Sequence, residues 1–228
     1  QVTPNLTMLS NTVECVEQHA PRLRHVSLVT GAKHYGSHLG RWTTPARESA
    51  PRHLPPNFYY AQEDFLRHRQ VGNSWTWSVT RPGALAGIAF GNPLNLVTLL
   101  AVYATITRTL GLPLRFPGTE QGYGTIYQAT SARLLAKAMT WAATEPGCAN
   151  QTFNIVNGDL TRWNELWTVI AEYFEIPVGP AQPMDLVQIM ADKGPLWDEI
   201  ARQHQLRDIP LNQLVSWEFG NYCFRIDY

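Results

Sequence analysis

The chain has 228 residues, 44% of them apolar and eight of them tryptophan, which is enough to bury one large core or two small ones. Lys plus Arg and Asp plus Glu both number 18, so the formal net charge is zero and no broad basic field is available for nucleic acid or an anionic membrane. The most apolar stretch, residues 94–110, is interrupted by Asn95, Thr98, Tyr103, Thr105, Thr107 and Arg108. It falls short of a bilayer span and reads as a buried helix.

Cys15, Cys148 and Cys223 are odd in number and far apart, with neither a CxxC pair nor a Cys/His grouping. That pattern argues against a zinc site or a disulfide framework and for a reducing, cytoplasmic setting. Asn5-Leu6-Thr7 and Asn150-Gln151-Thr152 match a glycosylation tripeptide, but with no secretory segment beside them they carry no weight.

In chain order, residues 5–20 carry Leu6, Leu9, Val13 and Val16 at helical steps, and Pro21 closes that helix. His25-Val26-Ser27-Leu28-Val29-Thr30 reads as a buried strand stopped by Gly31. Residues 31–56 are too irregular for either element, and a loop of that length in a compact domain is usually functional. Asn57 is a suitable N-cap for a helix that turns Phe58, Ala61, Phe65 and Leu66 inward and ends near Gly72.

Residues 75–80 form the next predicted strand, broken by Arg81-Pro82-Gly83. The helix 94–110 follows and stops at Gly111, with a short strand at Leu114-Arg115-Phe116 after it. A helix capped by Thr130 runs to Ala143, residues 152–156 form a strand, and Asn157-Gly158-Asp159 turns into a helix carrying Leu166, Trp167, Val169, Ile170, Tyr173 and Phe174. Helices near 183–192 and 195–205 complete the pattern. Strands separated by helices give crossover units, hence an α/β fold with a mainly parallel sheet.

Ligands of such a sheet lie beyond the carboxyl ends of its strands, where residues 30–35, 81–92 and 157–159 fall. Lys33 follows one strand end and Tyr59 stands in the first turn of the next helix, so both can face one crevice. A phenol ionises at about pH 10, and an ammonium beside it favours the phenolate. The helix N-terminus acts in the same direction. The competing reading is a buried Phe58-Tyr59-Tyr60 cluster beside a solvated lysine.

Other polar residues point elsewhere. His34 and His38 lack the companions of a metal site and read as loop polar contacts. Asp159 beside Thr161 reads as a helix cap rather than an acid/base partner of Glu165. Ser27, Ser37 and Ser78 lack a nucleophile-elbow setting. Gly122-Tyr123-Gly124 is an isolated glycine pair and reads as a flexible loop.

Three stretches together resemble one family: Leu28-Val29-Thr30-Gly31-Ala32-Lys33-His34-Tyr35, Asn57-Phe58-Tyr59-Tyr60-Ala61-Gln62-Glu63-Asp64 and Trp77-Ser78-Val79-Thr80-Arg81-Pro82-Gly83. The likeness continues through Leu112-Pro113-Leu114-Arg115-Phe116-Pro117-Gly118-Thr119, Phe153-Asn154-Ile155-Val156-Asn157-Gly158-Asp159 and Lys193-Gly194-Pro195-Leu196-Trp197-Asp198-Glu199-Ile200. The family is that of the progesterone 5-beta-reductase/iridoid synthase-like reductases, a branch of the extended short-chain dehydrogenases. Ordinary short-chain dehydrogenases place Tyr and Lys four apart on one helix. Here the residues four after Tyr59 and Tyr60 are Glu63 and Asp64.

The resemblance implies a Rossmann-like doubly wound parallel sheet, here lacking its N-terminal nucleotide-binding half, with Tyr59 and Lys33 as the catalytic pair. It implies NADPH as cofactor, with Val29, Thr30, Tyr59, Ala84, Gly91, Asn92 and Pro93 bordering the nicotinamide half, and Leu39 and Leu94 on the substrate side. The implied activity is reduction of the activated C=C bond of a small enone or enal. An epimerase/dehydratase or carbonyl reductase on the same scaffold, and a non-catalytic dinucleotide sensor, stay open as alternatives.

One incomplete domain is expected over 1–228. Residues 1–92 and 152–160 should form mainly the sheet core and nicotinamide side, and 93–151 and 161–228 the substrate-side helical part. The family's opening strand, its GxTGxxG turn and its last segment have no counterpart here, so the chain reads as an internal portion that binds cofactor poorly alone. No nucleic-acid or membrane partner is expected, no metal, and a homodimer is left open.

Overall fold

The computed structural model describes residues 2–40 and 42–225. In chain order the elements are α1 (Val2–His19), β1 (His25–Val29), a 3-10 turn (Ala32–Tyr35), α2 (Phe58–Gln70), β2 (Thr76–Pro82), β3 (Ala84–Ala86) and α3 (Leu96–Thr109). Then come α4 (Glu120–Gly124), β4 (Ile126–Tyr127), β5 (Ala129–Ser131), α5 (Ala132–Thr144), a 3-10 turn (Pro146–Cys148), β6 (Gln151–Ile155) and β7 (Thr161–Arg162). The chain finishes with α6 (Trp163–Tyr173), α7 (Leu186–Ile189), α8 (Gly194–Gln203), α9 (Leu211–Leu214) and α10 (Trp217–Arg225).

These elements divide into two compact units. One runs up to Gly83 and adds Ala129–Asn157; the other is Ala84–Gln128 with the residues from Gly158 onward. Residues 129–151 thus belong with the sheet, and residues 84–92 and 158–160 with the helical unit, a different partition from the one expected at 92/93, 151/152 and 160/161.

The sheet unit is built on the parallel order β1-β2-β6. His25 pairs with Thr76 and Val29 with Thr80 on one side of β2; Ser78 pairs with Gln151 and Pro82 with Ile155 on the other. Val26 and Leu28 therefore share a face with Trp77 and Val79, since strand side chains alternate. Val13 from α1, Leu66 from α2 and Trp75 close that face into a core, with Leu9, Leu23 and Phe65 at its margin. The helices α1 and α2 are also fastened by Glu17, which accepts from the Trp75 indole N–H at 2.9 Å and from Arg69 at 2.8 Å. Helix α5 lies against the same three strands.

Strand β2 does not break at Arg81-Pro82. It runs through both residues because Arg81 is buried and β6 continues to pair with it as far as Pro82. The predicted cap Thr130 is instead a buried strand residue whose hydroxyl donates to the Ile155 carbonyl at 2.6 Å and accepts from the Gly83 N–H at 2.9 Å. The helix begins two residues past it, at Ala132, with Ser131 as N-cap.

The second unit is organised by aromatic rings. Phe116, Trp167 and Phe224 are almost wholly buried and stack edge-on, with Phe116 5.2 Å from Trp167 and 5.5 Å from Phe224. Trp163 and Tyr103 extend the cluster. Gly118 is a glycine for want of space: a Cβ there would collide with the Phe224 carbonyl and the Phe116 ring.

No extended strand forms at residues 114–116. Leu114 makes a single parallel bridge to Val178, and its carbonyl also accepts from the Trp167 indole N–H at 3.1 Å. The glycine pair at 122 and 124 is not a loose loop but lies in α4, capped by the Thr119 hydroxyl, which accepts from the Gly122 N–H. Asp159 does not cap α6. That helix starts at Trp163, and the Glu165 carboxylate closes back on the Arg162 N–H at 3.0 Å. Helix α3 is capped by Asn95, whose carboxamide accepts from the Thr98 N–H and donates to the Gly87 carbonyl. Among the described residues no helix is long and apolar enough to cross a membrane.

Candidate active site

The site is built where β1 ends. After Val29 the backbone keeps one more ladder bond, Thr30 N–H to the Thr80 carbonyl at 2.9 Å, and then turns at Gly31 into the 3-10 turn that carries Lys33. The turn is closed by Gly36, which sits at φ 87° and faces the His53 ring so closely that a side chain there would collide with it. Only glycine satisfies both conditions at no steric cost.

Tyr59 enters from the first turn of α2. Its hydroxyl lies 3.8 Å from the point where a side chain on Gly31 would begin, so the phenol reaches over the end of β1. Phe58 packs edge-on against its ring at 4.5 Å. Burial raises the phenol's pKa above its ordinary value. That is the direction that keeps the proton on the hydroxyl, opposite to the effect of an ammonium beside it.

Lys33 and Tyr59 are joined through one side chain. The Asn57 carboxamide oxygen accepts from the Tyr59 N–H at 3.0 Å, and its amide nitrogen donates to the Lys33 carbonyl at 2.8 Å. A second strut lies beside it: the Tyr60 hydroxyl donates to the His34 carbonyl at 2.6 Å and accepts from the His53 N–H at 2.9 Å.

Beneath the turn lies a buried ionic network. Glu63, 4% exposed, accepts from Arg81 at 3.0 Å and from Arg67 at 2.7 Å. Burial alone would raise its carboxyl pKa, but the Arg67 hydrogen bonds and the Arg81 charge prevail and hold it below the usual value. Arg81 also donates to the Tyr35 hydroxyl at 3.0 Å, and that hydroxyl donates to Asn154 on β6 at 2.6 Å. Asn154 and Arg81 in turn hold residues 46 and 48 of the long loop.

His34 packs edge-on against Tyr35 and Tyr60, each at 5.1 Å. Burial and then the Arg81 charge push its pKa down to about 4, so the ring is neutral at 3.9 Å from Glu63. The Nδ1 atoms of His34 and His38 are buried without a hydrogen-bond partner. The loop polar contacts expected of them are not made at those atoms; the carboxylate facing His34 Nδ1, that of Glu63, lies at 3.9 Å, beyond hydrogen-bond distance. Among the described residues no His/Cys/Asp/Glu group is placed to hold a metal.

Of the remaining residues singled out in sequence, Val29 is 37% exposed at the rim, Thr30 is buried with its hydroxyl unpartnered, and Leu39 is exposed on the loop. The others lie in the second unit. Ala84 opens β3, and Gly91 sits at φ 67°. Asn92 accepts from the Leu94 N–H, Pro93 accepts from the Ser216 N–H, and Leu94 is exposed. Sequence reasoning missed Glu63, Arg81, Tyr35 and Asn154. The available signal was a carboxylate one helical turn after Tyr59, on the inward face.

A parallel sheet flanked by helices, with its polar site past the carboxyl end of a strand, defines a Rossmann-like α/β protein. Solved structures agree on the fold. RMD from Pseudomonas aeruginosa complexed with NADPH matches with a TM-score of 0.62 at 16% identity, covering 79% of this chain and 59% of that one. The UDP-glucose 4-epimerase of Thermus thermophilus, in complex with NAD, matches at 0.57 and 17%, covering 96% and 69%.

A family model described as the PRISE-like Rossmann-fold domain matches residues 1–213, and the chain belongs to that family. It is 37% identical to an (S)-8-oxocitronellyl enol synthase of Nepeta racemosa over 96% of this chain and 60% of that protein. It is 34% identical to the 3-oxo-Delta(4,5)-steroid 5-beta-reductase of Arabidopsis thaliana over 98% and 60%. The chain thus spans about 60% of the length of these relatives.

Proposed function

We propose that the protein carrying this chain is an NADPH-dependent reductase of the activated C=C bond of a small enone or enal, with Tyr59 and Lys33 as the polar pair at the carbonyl oxygen. The observation that carries this reading is the partly buried Tyr59 hydroxyl at the rim of β1, on a helix tied by the same carboxamide to the Lys33 turn. The names of relatives support the substrate class, since a 3-oxo-Delta(4,5)-steroid is itself a conjugated enone.

The residues present fit the cofactor. Thr30 brings a buried hydroxyl without a partner to the end of β1, beside half-exposed Val29, and these two with Tyr59 would hold the nicotinamide half. When bound, the reduced nicotinamide supplies a hydride to the β-carbon of the substrate. The part of this chain is electrostatic: as negative charge gathers on the carbonyl oxygen, the Tyr59 O–H donates a hydrogen bond to it and the Lys33 ammonium adds positive charge. A proton from solvent water then adds at the α-carbon and completes the reduction, leaving hydroxide to the bulk. A YxxxK arrangement, as an epimerase or carbonyl reductase would use, is replaced here by a Glu63 carboxylate already committed to Arg67 and Arg81.

The test is NADPH oxidation by the full-length protein with 2-cyclohexenone or progesterone. Tyr59→Phe and Lys33→Met should each lower kcat by about 10²–10³-fold. Full rate in both variants overturns the role assignment.

A further inference from the structure

We propose that Asn57 is the positioning residue that sets Lys33 against Tyr59, by holding the backbones of both with one carboxamide. The inference rests on the reductase reading above and adds a residue to it.

Asn57 is 8% exposed and sits between the 3-10 turn and α2. Its oxygen faces a donor, the Tyr59 N–H, and its nitrogen faces an acceptor, the Lys33 carbonyl, so the orientation of the amide is fixed by its partners. Capping a helix requires only the first of these bonds. Ser, Thr or Asp serves that purpose about as well as Asn. The second bond requires a donor on a side chain of this length, and it spans 24 residues of sequence.

The geometry at stake is that of two groups meant to act on one oxygen. Lys33 reaches the site from a four-residue turn, whereas Tyr59 stands on a thirteen-residue helix. The Tyr60 strut fixes the next carbonyl, that of His34, to the same helix. Without the Asn57 donor the turn keeps the Tyr60 bond to α2 but loses the carboxamide bond at the Lys33 carbonyl. Misplacement of a catalytic group by about 1 Å costs on the order of 10²-fold in rate.

Asn57→Asp and Asn57→Ser separate cap from clamp: both keep an acceptor for the Tyr59 N–H, Asp carries no donor at neutral pH, and the Ser hydroxyl sits one atom short of the amide nitrogen that now donates to the Lys33 carbonyl. In the full-length protein each should lower kcat for 2-cyclohexenone by about 10–100-fold, with KM for the enone and Kd for NADPH within about twofold of wild type. Melting temperature should stay within about 3 °C. Wild-type kcat in either variant overturns the proposal, as does a loss of rate matched by lost NADPH binding and a lower melting temperature, which marks a cap alone. Tyr59→Phe is assayed alongside. Full rate in that variant sinks the reductase reading itself, whereas a collapsed Tyr59→Phe beside an intact Asn57→Asp sinks only the clamp.

Discussion

The two units bury different chemistry. In the sheet unit, His34, Glu63 and Arg81 lie within the interior and hold the turn and the long loop at the end of β1. In the second unit the interior is a cluster of aromatic rings around Phe116, Trp167 and Phe224, and among the described residues no side chain of Asp, Glu, Lys, Arg or His is buried there. Apolar packing stabilises without much directional demand, whereas a buried ionic network is useful only if every partner is in place. The unit that carries the candidate chemistry is the one that accepts this demand.

The sharpest way to break the contrast is to remove one partner of the network. Arg81→Met leaves the Glu63 Oε2 without its partner and only Arg67 to balance the buried carboxylate, and should destabilise by about 3–5 kcal/mol in urea unfolding. Adding Glu63→Leu to Arg81→Met should recover a large part of that loss, because the cost is an under-compensated buried charge rather than lost attraction. If the double variant is no better than the single, the network stabilises in its own right.

In the aromatic unit, Trp167→Ala should cost a similar amount, about 3–5 kcal/mol, through the cavity it leaves. Its loss should be independent of pH between about 5 and 8, since burial pushes the neighbouring Tyr103 phenol up to about 12, well above that range. No second substitution among neighbouring charges should rescue it.

Acid provides the third comparison. His34 is held neutral, with a folded pKa of about 4 against about 6.5 unfolded, so unfolding takes up a proton between those values. The stability it contributes is complete above about pH 6.5 and is lost as pH falls toward 4, on the order of 3 kcal/mol. Glu63, whose pKa is lowered, adds a further loss below its usual value. His34→Phe keeps the ring contacts and should flatten the upper part of this acid limb, leaving the Glu63 part. An unchanged limb would assign the acid sensitivity elsewhere.

The smallest effect is expected at Asn95. Asn95→Ala removes the α3 cap and its bond to Gly87, and should cost about 1 kcal/mol, read as a modest drop in melting temperature.

Much of the sheet unit could be read along the chain. The helical spacing of Leu9 and Val13, the strand at His25–Val29, the Asn57 cap and the strand near residue 152 all leave a local pattern of apolar, β-branched or capping residues in the sequence. Misreadings cluster where a distant partner decides. Pro82 looks like a strand breaker until β6 pairs beside it, and Thr130 looks like a cap until Ile155 and Gly83 engage its hydroxyl. Leu114–Phe116 looks like a strand, but Val178 offers only one bridge.

The site divides in the same way. Lys33 and Tyr59 could be picked out from their places after a strand and at a helix start, because those places follow from local pattern and the family motifs. That Glu63 is the anchor of the interior, that Arg81 ties the turn to the long loop, and that one carboxamide spans from residue 57 to residue 33 were decided by the tertiary structure alone. A sequence specifies which face of an element is apolar through short-range periodicity. A buried charge or amide, by contrast, is defined by whichever group meets it across the fold, and that group is often tens of residues away.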